Sequence, residues 1–214
     1  MNEKLEKELR EIIRISSIDL RRFEDSREEI LRLNREIISC SARSIEASRR
    51  RERERASEHL SKAMKALKEC YKIAEGRAQG KLRNLLVEGE KEFIEAVLTY
   101  SYVFDENYLK AIKELNASPF SIILGIFDFT GELRRIFVDK LLEGEFDDAK
   151  RIVQLLRTVY SEMIYGDIRS SIIPGFKRRI DVLRNQIERC VEDLNFSLRI
   201  REFKRYDEQD EGRD

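Results

Sequence analysis

The sequence is poor in the residues that interrupt helices, with only 2 Pro and 9 Gly in 214 residues. Proline removes a backbone donor and glycine carries an entropic cost inside a helix, so few natural stops are present. Charged residues make up 39% of the chain and hydrophobic residues 41%, and the abundant Glu, Lys, Arg and Leu all favour helices. The composition therefore predicts long helices and argues against a sheet-based fold.

The sequence also lacks the apolar segments that direct a protein into a membrane. It has no apolar run of about 18 residues, the length that a spanning helix needs. The first residues, MNEKLEKELREIIRISS, are charged and have no apolar core of the signal-peptide kind. The 3 Cys are scattered through helical patterns, which favours buried free thiols over disulfides or a zinc site. These features predict a cytoplasmic protein without a membrane partner.

Two further scarcities restrict the chemistry. The single histidine, His59, excludes a mechanism that needs paired histidines and argues against a histidine-based metal site. The 42 basic and 42 acidic residues give no formal net charge, so the chain is not a polycation that coats nucleic acid. Any contact with a nucleic acid must come from local basic patches.

Apolar residues recur at helical spacing and predict about seven helices. The first is long, from Leu5 to about Ser48, and a second follows the arginine-rich stretch that begins at Arg49. The others are predicted at 81–104, 106–115, 119–142, 146–165 and after Pro174. No segment has the pattern of a strand. The predicted fold class is all-α, a single-domain helical bundle over residues 1–203 with an acidic, disordered tail at 204–214.

The third predicted helix carries acids beside its apolar face. That face is formed by Leu82, Leu86, Phe93, Val97 and Tyr100. Glu88, Glu92 and Glu95 lie together on its flank, within about 60° of one another on a helical wheel. Because Glu92 and Glu95 are three positions apart, their carboxylates can point at one ligand.

The fifth predicted helix is apolar around almost its whole circumference. Its polar or small positions lie on a single stripe: Ser121, Gly125, Asp128, Glu132 and Arg135. A helix that is apolar all round is a buried helix, so this stripe faces a polar pocket or an interface. Gly125 leaves space beside Asp128 for a ligand or a neighbouring backbone.

The two acidic stripes admit two interpretations. If they face each other, four carboxylates converge and no lysine lies among them. Like charges so close together need a counter-ion. Hard oxygen ligands suit Mg²⁺ or Mn²⁺, which can activate a water against a phosphodiester. In the alternative, Glu92 and Glu95 are exposed and Asp128 pairs with Arg134 or Arg135. Spacing alone does not choose between the metal site and these salt bridges.

Basic residues form two candidate contacts for nucleic acid. One is the arginine-rich stretch and the other opens the third predicted helix; together they comprise Arg49, Arg50, Arg51, Arg53, Arg55, Lys81 and Arg83. Arginine matches the geometry of phosphate oxygens. Glu52 and Glu54 alternate with the arginines and weaken their field, so solvated surface is the competing interpretation.

Two segments of the chain have residue patterns specific enough to indicate a protein family: Glu92-Phe-Ile-Glu95-Ala-Val and Leu124-Gly-Ile-Phe-Asp128-Phe-Thr-Gly-Glu132-Leu. They resemble motifs of the translin family, in its catalytic branch, translin-associated factor X. That branch has Glu-aromatic-aliphatic-Glu-Ala and Leu-Gly-x-x-Asp-Leu-Thr-Gly-Glu-Leu at these points. The order of helices is similar over residues 19–203. Translin itself keeps the glutamate that corresponds to Glu132 but lacks the catalytic acids.

The resemblance implies a Mg²⁺-dependent endoribonuclease of single-stranded RNA, with active sites inside a closed, barrel-like octamer. It implies that Glu92, Glu95 and Asp128 bind the metal, with Mn²⁺ as an alternative, and that Glu132 is a fourth catalytic acid. The eukaryotic enzyme contains two kinds of chain. Nothing in this sequence requires a second protein, so we expect a homo-oligomer of a minimal or archaeal type.

Two other classes of protein remain open. A non-catalytic oligomer that binds single-stranded RNA or DNA would keep the acids without cleaving its ligand. A ferritin-like di-iron bundle also presents carboxylates, but that class supplies Glu-x-x-His ligands. His59 has no such neighbours, so this class is the weaker of the two.

Overall fold

The chain is helical throughout the part that the structure describes. The computed structural model describes residues 2–75, 79–169 and 171–211. Its elements are α1 (Asn2–Arg49), α2 (Arg53–Ile73), α3 (Gln79–Arg83), a 3-10 turn (Asn84–Leu86), α4 (Val87–Phe104), α5 (Leu109–Glu114), α6 (Pro119–Leu142), α7 (Phe146–Tyr165) and α8 (Phe176–Glu211). No strand occurs within those ranges, and the predicted all-α fold class is confirmed.

The observed helices follow the predicted ones, with one division. The predicted helix over 81–104 is split into α3 and α4 by the 3-10 turn, which begins at Asn84, a weak helix former. The chain stays in the core on both sides of Asn84, since Leu82 is 4% exposed and Leu86 is fully buried. The predicted bounds 119–142 and 146–165 are those of α6 and α7.

Two compact units divide the chain, Met1–Gly125 and Ile126–Asp214. The boundary falls inside α6, which is continuous through it. In the first unit, α1 packs on α2 and α4. The core of this unit includes Ile30, Ile37, Leu60, Leu67, Leu86, Phe93, Val97 and Tyr100, each at most 2% exposed. The assignment of residues 1–203 to one domain stays a prediction.

The second unit has its own buried side chains. In it α7 packs against α8. Its most buried members include Leu133 and Phe137 of α6, Ile152 and Leu156 of α7, and Leu183 and Cys190 of α8, each at most 1% exposed. Burying each large apolar side chain contributes about 1.5–3 kcal/mol. α8 extends to Glu211, while the side chains of the predicted tail at 204–214 lie outside the described residues.

The first helix changes character along its length. α1 has 48 residues, which corresponds to about 72 Å. From Ile30 onward its apolar residues enter the core of the first unit. Before Phe23, which is partly buried against this core, its large apolar side chains are exposed, including Leu5, Leu9, Ile12, Ile13 and Leu20. We call these five residues the α1 apolar stripe.

The expectations on the cysteines and on membrane-spanning helices can be compared with the described part of the chain. Cys40, Cys70 and Cys190 are free and buried. Burial raises the pKa of the Cys70 thiol to about 12 and that of Cys190 to about 11, which keeps both protonated and unreactive at neutral pH. Within the described residues, no helix combines the length and apolarity needed to cross a bilayer.

Candidate metal centre

Two of the predicted acids lie at the edge of the buried face of α4. Phe93, Ile94, Ala96 and Val97 are at most 1% exposed and anchor this helix in the first unit. Glu95 is 9% exposed, and the side chain of Glu92 is 26% exposed. The alternative interpretation, in which Glu92 and Glu95 are exposed, is therefore wrong for Glu95, because the packing of α4 draws this residue inward.

Gly125 allows α6 to approach α4 closely. A Cβ at this position would lie 2.8 Å from the backbone oxygen of Lys91 and 2.9 Å from Ile94. Only glycine fits such a contact without a shift of its neighbours. The space predicted at Gly125 is thus taken by neighbouring backbone. Asp128 follows three residues later on the same continuous helix, so this contact also fixes the course of the backbone that leads to it.

Three of the four predicted acids come together. One carboxylate oxygen from each of Glu92, Glu95 and Asp128 lies within 4.8 Å of the other two. We call these residues the three-acid group. Glu132 is outside this group: it lies one turn further along α6, is 6% exposed, and its Oε1 is 3.3 Å from Nη1 of Arg135.

Two cations contact the three-acid group. Nζ of Lys91 lies 2.8 Å from Glu88 and 3.5 Å from Glu92, and the lysine side chain is 14% exposed. Nη1 of Arg179 lies 3.1 Å from Oδ1 of Asp128. The expectation that no lysine stands in the immediate set is wrong, because the Glu88 contact one turn back along α4 holds the Lys91 amine beside Glu92. Both cations reduce the repulsion among the acids.

The arginines that were assigned to Asp128 as salt-bridge partners have other contacts. Arg134 Nη2 lies 2.6 Å from Asp193 Oδ2, and Arg135 contacts Glu132. Helix geometry explains both departures. Arg134 stands about 240° around the helix from Asp128, and Arg135 lies two turns, about 10 Å, further along it.

The three-acid group fits a hard divalent cation. All of its donors are carboxylate oxygens, the ligand type of Mg²⁺ and Mn²⁺, and it offers no nitrogen or sulfur that would favour zinc or copper. The side chains of Glu92 and Asp128 are each 26% exposed, so a cation and a substrate have access from solvent. Mg²⁺ commonly binds through a few carboxylates together with water and substrate phosphate.

Glu90 was not among the predicted site residues, yet it is more buried than Glu95 or Glu132, at 1% exposure. The Tyr71 hydroxyl donates to its Oε1 at 2.8 Å. The Ser118 backbone N–H and the Ser121 hydroxyl donate to its Oε2 at 3.0 and 2.7 Å. These serines stand just before and inside the first turn of α6, so Glu90 caps the N-terminus of the helix that carries Asp128.

The apolar pattern of α4 contains a signal that identifies Glu90. On a helical wheel Glu90 lies within about 60° of Leu86, Phe93 and Val97, which places an acid on the core face. Burial, together with the Glu90 carboxylate, raises the pKa of Tyr71. The phenol therefore stays a hydrogen-bond donor at neutral pH.

The two basic residues predicted at the start of the third helix differ in role. Arg83 is half-buried, its guanidinium lies 4.2 Å from the centre of the Tyr71 ring, and it donates to the backbone carbonyl of Asn116. These contacts make Arg83 part of the framework around Glu90. Lys81 is exposed, and its proposed contact with nucleic acid stays a prediction.

The predicted arginine-rich patch lies where α1 ends and α2 begins. Its members pair mostly with acids: Arg49 and Arg50 with Glu46, Arg53 with Glu106, and Arg55 with Glu52. Arg51 occupies the turn with a φ of 59°. These pairs weaken the positive field of the patch, as the alternating sequence indicated, and its role in RNA binding stays a prediction.

The fold and the three-acid group define an all-helical protein with a candidate oxygen-ligand metal centre. The sequence profile of the Translin family matches residues 24–202. The chain belongs to the translin family, and the resemblance indicated by its two motifs is confirmed.

Relatives of known sequence agree with this assignment. A translin-associated protein X homologue of Schizosaccharomyces pombe is 26% identical over 205 residues, which cover 87% of this chain and 87% of that protein. An uncharacterised protein of Methanocaldococcus jannaschii is 25% identical over 170 residues, which cover 78% of this chain and 74% of that protein. The chain is therefore similar to the translin-associated factor X branch.

Solved structures show the same fold. The crystal structure of AfC3PO has a TM-score of 0.80 at 26% identity and covers 88% of this chain and 98% of that chain. The structure of AfC3PO with duplex RNA has a TM-score of 0.77 at 26% identity and covers 88% and 97%. Apo-NeC3PO, at 20% identity and a TM-score of 0.77, covers 86% and 96% and is similar in fold.

Proposed function

We propose that this protein is a metal-dependent endoribonuclease whose reaction takes place at the three-acid group. The observation that carries the proposal is the convergence of the Glu92, Glu95 and Asp128 carboxylates within 4.8 Å. Membership of the translin family and the similarity to a translin-associated protein X homologue support it. Like-charged acids at this distance, in a partly buried position, favour a cation between them.

The proposed roles of the site residues differ with their positions. Glu92, Glu95 and Asp128 would hold Mg²⁺ or Mn²⁺. When bound, such a cation polarises a phosphate oxygen and makes a water a better nucleophile at neutral pH. Glu132, one turn beyond Asp128 and 6% exposed, either completes the ligand shell or accepts a proton.

RNA is the proposed substrate because AfC3PO, to which this chain is similar, has been solved with duplex RNA. The motifs favour single-stranded RNA as the polymer that is cleaved, and duplex RNA and single-stranded DNA are the polymers to compare with it. The chain has no formal net charge, so local basic groups must hold the phosphate backbone. Such contacts do not read bases, and we expect weak sequence preference.

A closed homo-oligomer is the proposed assembly, with eight copies as the expected size and no second protein required. The α1 apolar stripe supports self-association, since its members are between 48% and 67% exposed in the single chain. Contiguous apolar surface of this kind is typical of interaction sites.

A second candidate function is RNA binding without cleavage. It is favoured by the contacts of Lys91 with Glu92 and of Arg179 with Asp128, which neutralise part of the acidic charge without a metal. In this case the acids serve as ion-pair partners and the cation site has no catalytic use.

Cleavage assays distinguish the two candidates. Labelled single-stranded RNA, duplex RNA and single-stranded DNA are each incubated with wild type, Asp128→Asn and Asp139→Asn, in Mg²⁺, in Mn²⁺ and in EDTA. Asp139 is an exposed acid of the same helix and serves as the matched control. We expect wild type and Asp139→Asn to cleave RNA with either cation, and Asp128→Asn to lose at least about 100-fold in rate.

Calorimetric titration with Mn²⁺ adds a direct test of the centre. Wild type and Asp139→Asn should bind the cation, and Asp128→Asn should bind it at least about tenfold more weakly. RNA binding without cleavage under any cation would favour the second candidate. Cleavage that persists in EDTA, or that is unchanged by Asp128→Asn, would contradict a metal-dependent reaction at the three-acid group.

A further inference from the structure

Arg179 lies at the edge of the candidate metal centre, although no motif in the neighbouring sequence indicates a site residue there. It stands in the first turn of α8, and its Nη1 is 3.1 Å from Oδ1 of Asp128. The arginine side chain is 37% exposed and the Asp128 side chain 26% exposed. Because Asp128 belongs to the three-acid group, the guanidinium borders the place where a cation would be held.

The position of Arg179 follows from the packing of the residues around it. Phe176, the first residue of α8, packs edge-on against Phe127 with ring centroids 5.6 Å apart. Phe127 directly precedes Asp128, and Arg179 follows Phe176 by three positions, about one helical turn. The Arg179 backbone N–H donates to the carbonyl of Gly175 at 3.0 Å, which holds the first turn of α8. The aromatic pair thus brings Arg179 beside Asp128.

The ion pair by itself does not account for an arginine at this position. Partly exposed ion pairs contribute about 0–1 kcal/mol to stability. A guanidinium has five N–H donors in a planar fork, and within the described residues Asp128 accepts from one of its nitrogens. The other donors belong to a side chain with access to solvent and are suited to a second, anionic partner.

The charges of the proposed centre require such a partner for the substrate. Three carboxylates exceed the charge of one divalent cation, so the loaded centre would still be negative without the neighbouring Lys91 and Arg179. A phosphodiester brings a further negative charge, and its approach needs cationic groups at the site. Lys91 is 14% exposed and contacts two glutamates, whereas Arg179 is more accessible and has the fork geometry that matches phosphate oxygens.

We propose that Arg179 binds the phosphodiester of the RNA at the three-acid group. This inference rests on the proposed function. With a cation on Asp128, the Arg179 guanidinium donates to a non-bridging oxygen of the scissile phosphate and stabilises the charge that builds on it during hydrolysis.

Three variants test this role: Arg179→Ala, Arg179→Lys and the matched control Arg178→Ala, an exposed arginine of the same helical turn. Single-turnover cleavage of labelled RNA in Mg²⁺ should fall about 10–100-fold in Arg179→Ala and stay within about twofold in Arg178→Ala. Arg179→Lys should recover only part of the rate, because an ammonium cannot form the two-pronged contact.

Two measurements without turnover separate this role from a structural one. Calorimetric titration with Mn²⁺ should give Arg179→Ala an affinity equal to or above that of wild type, since a competitor for Asp128 is removed. RNA binding in Ca²⁺, followed by fluorescence anisotropy at several salt concentrations, should weaken. The slope of log affinity against log salt should decrease by about 0.7, the value for one phosphate contact on a single strand. In EDTA the Arg179→Ala and wild-type proteins should bind RNA alike.

The inference is overturned if Arg179→Ala cleaves as fast as Arg178→Ala, or if its rate and its Mn²⁺ affinity fall together. The second outcome would make Arg179 a positioning residue for Asp128. If Arg179→Ala does not fold, Arg179→Lys carries the same comparison. A wild-type protein that cleaves nothing would contradict the proposed function alone, and the calcium-dependent binding difference would still decide the role of Arg179.

Discussion

Glu90 and Glu92 stand two positions apart on α4 and have opposite environments. Glu90 is 1% exposed and accepts hydrogen bonds from three neutral donors, whereas the Glu92 side chain is 26% exposed and contacts Lys91. A carboxylate whose oxygens are occupied by protein donors stabilises the structure and does not serve a cation. Burial therefore separates these two acids: Glu90 holds the framework, and Glu92 remains accessible to a ligand.

The Glu90 contacts predict a large cost for removing its carboxylate. We expect Glu90→Ala to lower the free energy of unfolding by about 2–4 kcal/mol, because hydrogen bonds to a charged acceptor are lost and buried donors are left without it. Glu90→Gln, which keeps one acceptor, should cost less. The change is measured by urea denaturation.

Glu69→Ala is the control for this prediction. Glu69 pairs with Lys72 on the exposed face of α2, and its loss should cost no more than about 1 kcal/mol. A Glu90→Ala protein as stable as Glu69→Ala would show that the α6 cap is not stabilising.

Burial and the Glu90 carboxylate raise the pKa of Tyr71 in the folded protein. The stabilisation that the protonated Tyr71 phenol contributes is therefore fully present below pH 10.0 and declines as the pH rises above it.

At the scale of secondary structure, α6 is the element that positions Asp128. Its start is capped by Glu90, and its seventh residue, Gly125, closely approaches the backbone of α4. Beyond that point its buried apolar residues are Phe127, Phe129, Leu133, Ile136 and Phe137. The predicted start at Ser118 and Pro119 is confirmed, since proline is well tolerated at the first helical position. Cap and close contact together determine where the Asp128 turn of the helix runs.

Substitution of alanine for two glycines of α6 tests this close contact. Gly125→Ala should destabilise the protein by about 1–3 kcal/mol, because its Cβ would press on the Lys91 carbonyl and force the backbones apart. Gly131→Ala should be neutral or stabilising by up to about 1 kcal/mol, since alanine is the better helix former. Apart from its chain neighbours and the backbone of its own helical turns, no atom of the described residues lies within 4 Å of a Cβ built at Gly131. Thermal unfolding measures both.

The same pair also reports on the candidate centre. We expect Gly125→Ala to weaken Mn²⁺ binding in calorimetry, because Asp128 moves with its helix, and Gly131→Ala to leave that affinity unchanged. Equal melting temperatures for the two variants would mean that α6 adjusts without cost, and the proposed role of Gly125 would be wrong.

At the scale of the whole molecule, the first part of α1 presents exposed apolar side chains. The α1 apolar stripe is exposed and precedes residue 24, where the match to the Translin family begins. Exposed apolar surface in a row along a helix favours association with another helix. The stripe is therefore a candidate contact in the proposed homo-oligomer.

Light scattering tests this candidate contact. The wild-type mass should be a multiple of the 25.4 kDa chain, with eight copies as the proposed value. Leu9→Lys combined with Ile13→Lys, which places two charges on neighbouring turns of the stripe, should shift the population to smaller species. Arg10→Lys, on the same turn but outside the stripe, should not. A wild-type protein that stays monomeric at micromolar concentration would contradict the homo-oligomer.

Sequence patterns predicted the helices well and the site in part. The positions of α6 and α7 follow from local apolar periodicity, and the pairing of Glu92 with Glu95 follows from their spacing on one helix. The cations beside the acids were not predicted: the metal-site interpretation had no lysine among the acids, and the salt-bridge alternative paired Asp128 with Arg134 or Arg135 of its own helix, whereas Lys91 and Arg179 make these contacts. The predicted acidic flank of Glu88, Glu92 and Glu95 does not include Glu90, which lies on the apolar face of α4.

The sequence by itself determined the helical class and the family, and it placed Glu92 and Glu95 on one side of a helix, because helix periodicity and motifs are local properties of the chain. Tertiary structure decided which side chains meet. Arg179 reaches Asp128 across 51 positions, and Ser121 reaches Glu90 across 31. Contacts of that range depend on how helices pack, and here the packing follows from a glycine contact at Gly125 and an aromatic pair at Phe127. Neither the Gly125 contact nor the Phe127 pair can be predicted from the periodicity of the sequence.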